Sequence, residues 1–232
     1  MNNLAVFNWS GGKDSTLALH YILSENTYKI HCLLTTVNDS YNRIAMHGVR
    51  ETLLIAQANS LKIPLYQLRL PEIPDMETYE KAMDLHFGIL KEKGIAFSIF
   101  GDIFLEDLKM YRENQFDKIG MKTLFPLWKR DSLGLVKEFI ALGYKTIVVC
   151  ARADLKDFCG RIIDQSFLND LPNDVDPCGE NGEFHTFVFD GPIFTEPINF
   201  TLGELVFKSL AQANSSSEKL GYWYIDLVPI EK

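Results

Sequence analysis

Leu4-Ala5-Val6-Phe7-Asn8-Trp9-Ser10-Gly11-Gly12-Lys13-Asp14-Ser15-Thr16-Leu17-Ala18-Leu19-His20-Tyr21-Ile22-Leu23 is one uninterrupted pattern. An apolar strand runs into a glycine-rich turn, and the turn runs into an amphipathic helix. Two adjacent glycines let the backbone approach a ligand closely. The helix that follows offers unpaired N–H groups and the positive end of its dipole. Together they make an anion seat, and phosphate is its natural guest. A plainer reading is loop chemistry, with Asp14 or Ser15 capping the helix. The full Ser10–Ser15 string at the end of an N-terminal strand is more specific than that.

Counting removes the neighbouring motifs. A Walker A loop needs a glycine where Phe7 stands and Ser or Thr where Asp14 stands. The dinucleotide fingerprint needs its first two glycines separated, whereas Gly11 and Gly12 adjoin. A nucleophile elbow needs glycine at Asn8. What remains resembles the PP-loop of the N-type ATP pyrophosphatases, which split ATP between the α and β phosphates. That resemblance implies that Ser10, Gly11, Gly12 and Ser15 cradle the released phosphates. It also implies that Lys13 neutralises their charge and that Asp14 holds Mg²⁺.

Outward from the loop, the first half alternates strand and helix signals. Strands are expected at about 3–8, 29–37, 64–69 and 95–100, and helices at about 15–25, 47–61, 76–93 and 103–118. Such alternation predicts an α/β fold with a doubly wound parallel sheet, whose ligands bind at the carboxyl ends of the strands. Ser10–Ser15, Asn38-Asp39-Ser40 and Gly101-Asp102 would then share one rim. A second, smaller α+β region starts near Phe125, giving expected domains of 1–124 and 125–232. It holds helix signals at about 131–142 and 160–169 and strand signals at 144–150, 184–190 and 222–228, with an exposed loop at Ser215–Ser217. Whether residues 38–46 form a lid is left open.

Composition narrows the partners. At 232 residues and 47% hydrophobic, with 16 Phe, the chain has material for a sizeable core. No apolar run is long enough to span a bilayer and no leader is visible, so no membrane partner is expected. The four cysteines form no C-x-x-C pair, and a cytoplasmic chain with reduced thiols is the expectation. A net charge of −8 argues against a nucleic-acid partner. A homo-oligomer is compatible with all of this.

Three further constellations carry chemistry. His47 and Arg50 are expected on one face at the start of the second helix, where two cations oppose the dipole and an anion would relieve the conflict. Gly101-Asp102 ends a strand, where the carboxylate could hold Mg²⁺ or an amine, or simply cap a helix. In Gly179-Glu180-Asn181-Gly182-Glu183-Phe184-His185-Thr186, two carboxylates and an imidazole surround an Asn-Gly turn. They could bind ammonium, deprotonate it or recognise a cationic substrate, or form polar hairpin tips.

In order along the chain stand the loop, His47-x-x-Arg50 with Gln57-Ala58, Gly101-Asp102-Ile103, Pro126-Leu127-Trp128 with Arg130-Asp131, and the Gly179–Thr186 element. That series resembles the diphthine–ammonia ligase (diphthamide synthetase) family over residues 4 to about 195. Two departures are Lys129, where many relatives have Gly, and Phe116, near which many have Cys. The resemblance implies an adenine nucleotide alpha hydrolase-like, Rossmann-like fold and an ATP-dependent ligase that adenylates a carboxylate and transfers ammonia. Implied partners are ammonia or ammonium and a carboxylate acceptor, which in the diphthamide case is a modified histidine on elongation factor two. Implied catalytic groups are Lys13, Asp14, Glu180, Glu183 and His185. Ser10–Ser15, His47 and Arg50 would bind ATP, and Gly101, Asp102, Glu180, Asn181, Gly182, Glu183 and His185 the substrate. A small-molecule carboxylate, a tRNA-modifying enzyme and a non-catalytic ATP-binding protein are the alternatives.

Overall fold

A computed structural model describes residues 3–39, 43–44, 47–71, 75–209 and 220–230. Five parallel strands form the first sheet: β1 (Leu4–Asn8), β2 (Lys29–Asn38), β4 (Leu65–Leu70), β5 (Phe97–Ile99) and β6 (Lys122–Leu124). Their spatial order is β4-β2-β1-β5-β6. The short antiparallel β3 (Arg43–Ile44) pairs with the end of β2, on the edge that β1 occupies lower down. The strand order reverses between β1 and β5, which is where a doubly wound sheet opens its ligand crevice.

Alternation along β1 sends side chains to two layers. Ala5 and Phe7 join α1 (Lys13–Glu25) and α2 (Glu51–Leu61) in one core. Val6 joins Met83 and Phe87 of α3 (Met76–Glu92) and Phe116 of α4 (Glu106–Lys118) in another. The first core runs on without a break into the second region, where Val148 and Phe187 are fully buried. That region holds α5 (Ser132–Ala141), α6 (Gln165–Asp170) and an antiparallel sheet. Its strands are β7 (Lys145–Arg152), β8 (Phe184–Asp190), β9 (Phe200–Ser209) and β10 (Gly221–Pro229), in the order β8-β7-β10-β9. All four cysteines are free thiols, and among the described residues no helix is long and apolar enough to cross a membrane.

Most element boundaries agree with the sequence to within two or three residues; five readings need correcting. The helix expected from residue 47 starts at Glu51. Gly48 takes a φ of +69° and Arg50 is extended against Arg43, so His47 and Arg50 precede the helix and share no helical face. The helix expected at 160–169 starts at Gln165, capped by Asp164. Residues 160–163 run beside β7 instead, through hydrogen bonds with Thr146 and Val148. Three strands, β3, β6 and β9, were not expected. The β9–β10 register slips between Ile225 and Leu227, which spoils the alternation that a strand would show. Ser215–Ser217 and most of the 38–46 segment's turn lie outside the described residues. Lys129 has a φ of +59°, in the left-handed region that glycine adopts most readily.

Candidate active site

The Ser10–Ser15 turn leaves β1 at the switch point and opens α1. Gly12 stands at the N-cap and, lacking a side chain, makes no cap bond of its own, so the first turn of α1 comes up against the cavity with its amide end. Ser10 Oγ accepts from Gly12 N–H at 3.2 Å and lies 3.0 Å from Ser15 Oγ. Gly11 has a φ of +79°, and a Cβ there would sit 2.6 Å from Gln57 Oε1. Only glycine fits both demands.

The turn is bonded to the second region as firmly as to its own. Val188 N–H donates to Gly11 O at 2.9 Å. Gln57 Nε2 donates to both Gly11 O and Val188 O, at 3.0 and 2.6 Å, while Gln57 Oε1 accepts from Trp9 Nε1 at 3.0 Å. Lys13 N–H donates to Thr186 Oγ1 at 3.0 Å. Lys13 Nζ donates to Cys178 O and pairs with Asp14 at 2.8 Å. Burial works against the Lys13 charge, but Asp14, Cys178 and Glu180 together outweigh it and hold the ammonium above its ordinary value. Burial likewise raises Asp14 against the pull of Lys13.

A cavity of about 350 Å³ spans the loop, the β2 and β5 ends and the Cys178–Thr186 segment. His47 and His185 stand 4.6 Å apart, ring to ring. Burial and the His185 neighbour push His47 down to about 3, and burial with the Lys13 charge pushes His185 down to about 4. Both rings are therefore neutral at neutral pH. His47 Nδ1 lies 3.2 Å from Thr186 O, which can only accept, so Nδ1 carries the proton and Nε2 is an acceptor. Glu180 accepts from Ile103 N–H at 2.8 Å. Burial, with the Asp14 and Asp102 charges, raises its carboxyl to about 7 despite that hydrogen bond.

Ser10, Gly12, Lys13, Asp14, Ser15, His47, Gly101, Asp102, Glu180 and His185 line this one cavity, as the sequence reading requires of a shared site. Five other candidates do not line it: Gly11, inside the turn, and four that sit elsewhere. Glu183 is 3% exposed and accepts from Asp176 N–H and Asn181 Nδ2, each at 3.1 Å, so it braces the turn from below. Asn181 and Gly182 form the turn's outer tip and do not line the cavity. Arg50 donates to Asp226 through Nε and Nη2, at 3.1 and 2.6 Å, where Arg43 also binds. Asp226 is on β10, and Gly48 lies against the Tyr224 ring of the same strand. The second sheet thus holds the turn that presents His47.

Sequence reasoning assigned no role to Asp226, Arg112 or Thr186. No local signal marks Asp226, because its partners are distant in the chain. Thr186 was visible in the motif as a letter, without its loop-facing hydroxyl.

Two expectations follow from this geometry. Asp226→Asn keeps the shape but removes the charge that two guanidiniums share, and should cost about 1–3 kcal/mol in chemical denaturation. It should also raise the KM for ATP, because the His47 turn loses its anchor; an unchanged KM would separate that turn from nucleotide binding. Glu180 has a folded pKa above its unfolded one, so the folded state holds an extra proton between the two values. Stability therefore falls as pH rises from about 4.5 through about 7. Glu180→Gln keeps an acceptor for Ile103 and should raise the unfolding midpoint above about pH 7 while changing little near about pH 4.

Residues 3–123 match the diphthamide synthase N-terminal domain and residues 131–215 the diphthamide synthase C-terminal domain. The diphthine–ammonia ligase of Homo sapiens is 28% identical over 169 residues, which cover 66% of this chain and 63% of that protein. That of Schizosaccharomyces pombe is 30% identical over 100 residues, covering 40% of this chain and 16% of that protein. That of Rattus norvegicus is 25% identical over 227 residues, covering 86% and 84%. The chain thus spans less than two thirds of the human protein and a small part of the yeast one.

Proposed function

The chain belongs to the diphthamide synthase family, and we propose that it is an ATP-dependent ligase that converts an acceptor's carboxylate into an amide with ammonia, as a diphthine–ammonia ligase would. One observation carries the reading: the phosphate-binding turn and the Gly179–Thr186 element close on one cavity, bonded through Lys13, Thr186 and Cys178. An activating site and an acceptor-selecting turn in one chamber suit a reaction whose intermediate must not escape.

The chemistry has two steps. A carboxylate oxygen attacks the α phosphorus of ATP, the α–β anhydride bond breaks and pyrophosphate leaves. Ammonia then attacks the acyl carbon, and AMP leaves with the electron pair of the carbon–oxygen bond. The amide end of α1 and the Lys13 ammonium stabilise charge on the departing pyrophosphate. Glu180, with a carboxyl near neutrality, takes the proton that ammonium must shed before nitrogen can attack. Neutral His185 and His47 add no charge to repel ammonium.

Mg²⁺ fits the donors present. Among the described residues no three His, Cys, Asp or Glu side chains form a metal cage. Mg²⁺ on nucleotides is typically held by one or two carboxylates together with phosphate oxygens and water. Asp14 would hold it, with Asp102 on the same cavity wall. When bound, the ion supplies positive charge to the phosphates.

Residues 1–124 would form the ATP-binding domain and 125–232 the acceptor-recognition domain of a cytoplasmic enzyme. The test incubates the protein with ATP, ammonium and elongation factor two bearing diphthine. AMP, pyrophosphate and the carboxyl-to-carboxamide mass change on the factor are expected together. AMP without that mass change would move the reading to another carboxylate, and no AMP would sink it.

A further inference from the structure

One lysine and one arginine line the cavity. The lysine is Lys13; the arginine is Arg112 of α4, whose part in the reaction is unassigned. Arg112 is held on two sides. Its Nε lies 2.7 Å from Asp102 Oδ2 and its Nη2 donates to Oδ1 at 3.2 Å. The guanidinium carbon stands 4.3 Å from the centre of the Phe100 ring. Nη1 has no partner among the described residues. One edge of the planar fork and one face are thus fixed, which leaves a second N–H edge on a residue that lines the cavity.

We propose that this edge of Arg112 binds the acceptor's carboxylate and presents it to the α phosphate of ATP. The proposal rests on the ligase reading above. Three observations favour a carboxylate over the triphosphate. The Asp102 pairing leaves Arg112 with directed donors but little net charge, which suits a planar monoanion recognised by geometry. Asp102 itself would repel a polyanion. Phosphates already have a seat at the α1 terminus, whereas Tyr79, Met83 and Phe100 give the Arg112 end an apolar wall for a carbon skeleton. The two seats adjoin. A Cβ on Gly101, next to Asp102, would sit 2.9 Å from Ser15 N in the first turn of α1. A carboxylate on Arg112 therefore lies beside the phosphates, and Glu180, which feels the Asp102 charge, lies beside both.

The experiment compares wild type, Arg112→Lys and Arg112→Gln in steady-state kinetics with diphthine-bearing elongation factor two, ATP and ammonium. The KM for the factor should rise about ten- to a hundredfold in Arg112→Gln, with the KM for ATP unchanged. Lysine should recover only part, because it lacks the fork. The double variant Asp102→Asn with Arg112→Gln removes the stranded carboxylate and should keep the acceptor defect if folding is not its cause. A rise in the KM for ATP alone, or no change in either, overturns the proposal. Equilibrium binding of the factor, with a non-hydrolysable ATP analogue present, separates the two readings. Wild-type binding of the factor together with no AMP formation from ATP in the kinetic arm sinks the ligase reading while leaving the Arg112 comparison intact. Equal binding by wild type and Arg112→Gln overturns the role of Arg112, and no binding by wild type overturns both.

Discussion

Lys13→Met should lower ATP-dependent pyrophosphate release by about a hundred- to a thousandfold. The turn holds one cation, and it sits at the N-terminus of α1. Charge developing on the leaving pyrophosphate would meet only backbone N–H groups without it. Methionine keeps the length and apolar stem of lysine, so packing against Phe184, whose ring the ammonium faces at 5.4 Å, is preserved. The substitution also strands Asp14, so unfolding midpoints are measured alongside. A folded variant that loses less than about tenfold would place pyrophosphate formation elsewhere.

Gln57→Leu should have the largest effect on stability, about 2–5 kcal/mol in urea or guanidinium titration. Gln57 is fully buried and joins three elements. Without its amide, Val188 O and Trp9 Nε1 each lose the one partner described for them. Each stranded buried group costs about 1–3 kcal/mol, against a total stability of about 5–15 kcal/mol. Gly11 O keeps its bond from Val188 N–H. The turn should therefore loosen rather than collapse, and the KM for ATP should rise in variant protein that remains folded. A cost under about 1 kcal/mol would mean that water replaces the amide.

Much of the fold was legible because its signals are local. The β1–turn–α1 run and the alternation of strand and helix need no distant partner to be read. β9 was illegible because a register slip breaks its alternation, and β6 because three residues carry little pattern. The site divides in the same way. The phosphate turn announces itself through glycines whose φ and crowding admit nothing larger. The carboxylate of Glu183 and the guanidinium of Arg50 have the right chemistry for a site, but Glu183 Oε1 accepts from Asp176 and Asn181 outside the cavity lining and Arg50 pairs with Asp226. Spacing cannot reveal that, since Asp226 reaches Arg50 only through the second sheet. Arg112 was hidden for the converse reason. It looks like any helical arginine until Asp102 and Phe100 fix its fork.

Adenylation of the acceptor's carboxylate is the central claim, and the fate of its oxygen tests it most directly. Acceptor labelled with heavy oxygen in that carboxylate is turned over with ATP and ammonium, and the products are weighed by mass spectrometry. One labelled oxygen should appear in AMP for each amide formed, with none in pyrophosphate. Label confined to water or pyrophosphate, or amide formed with unlabelled AMP, would contradict attack of the carboxylate on the α phosphorus.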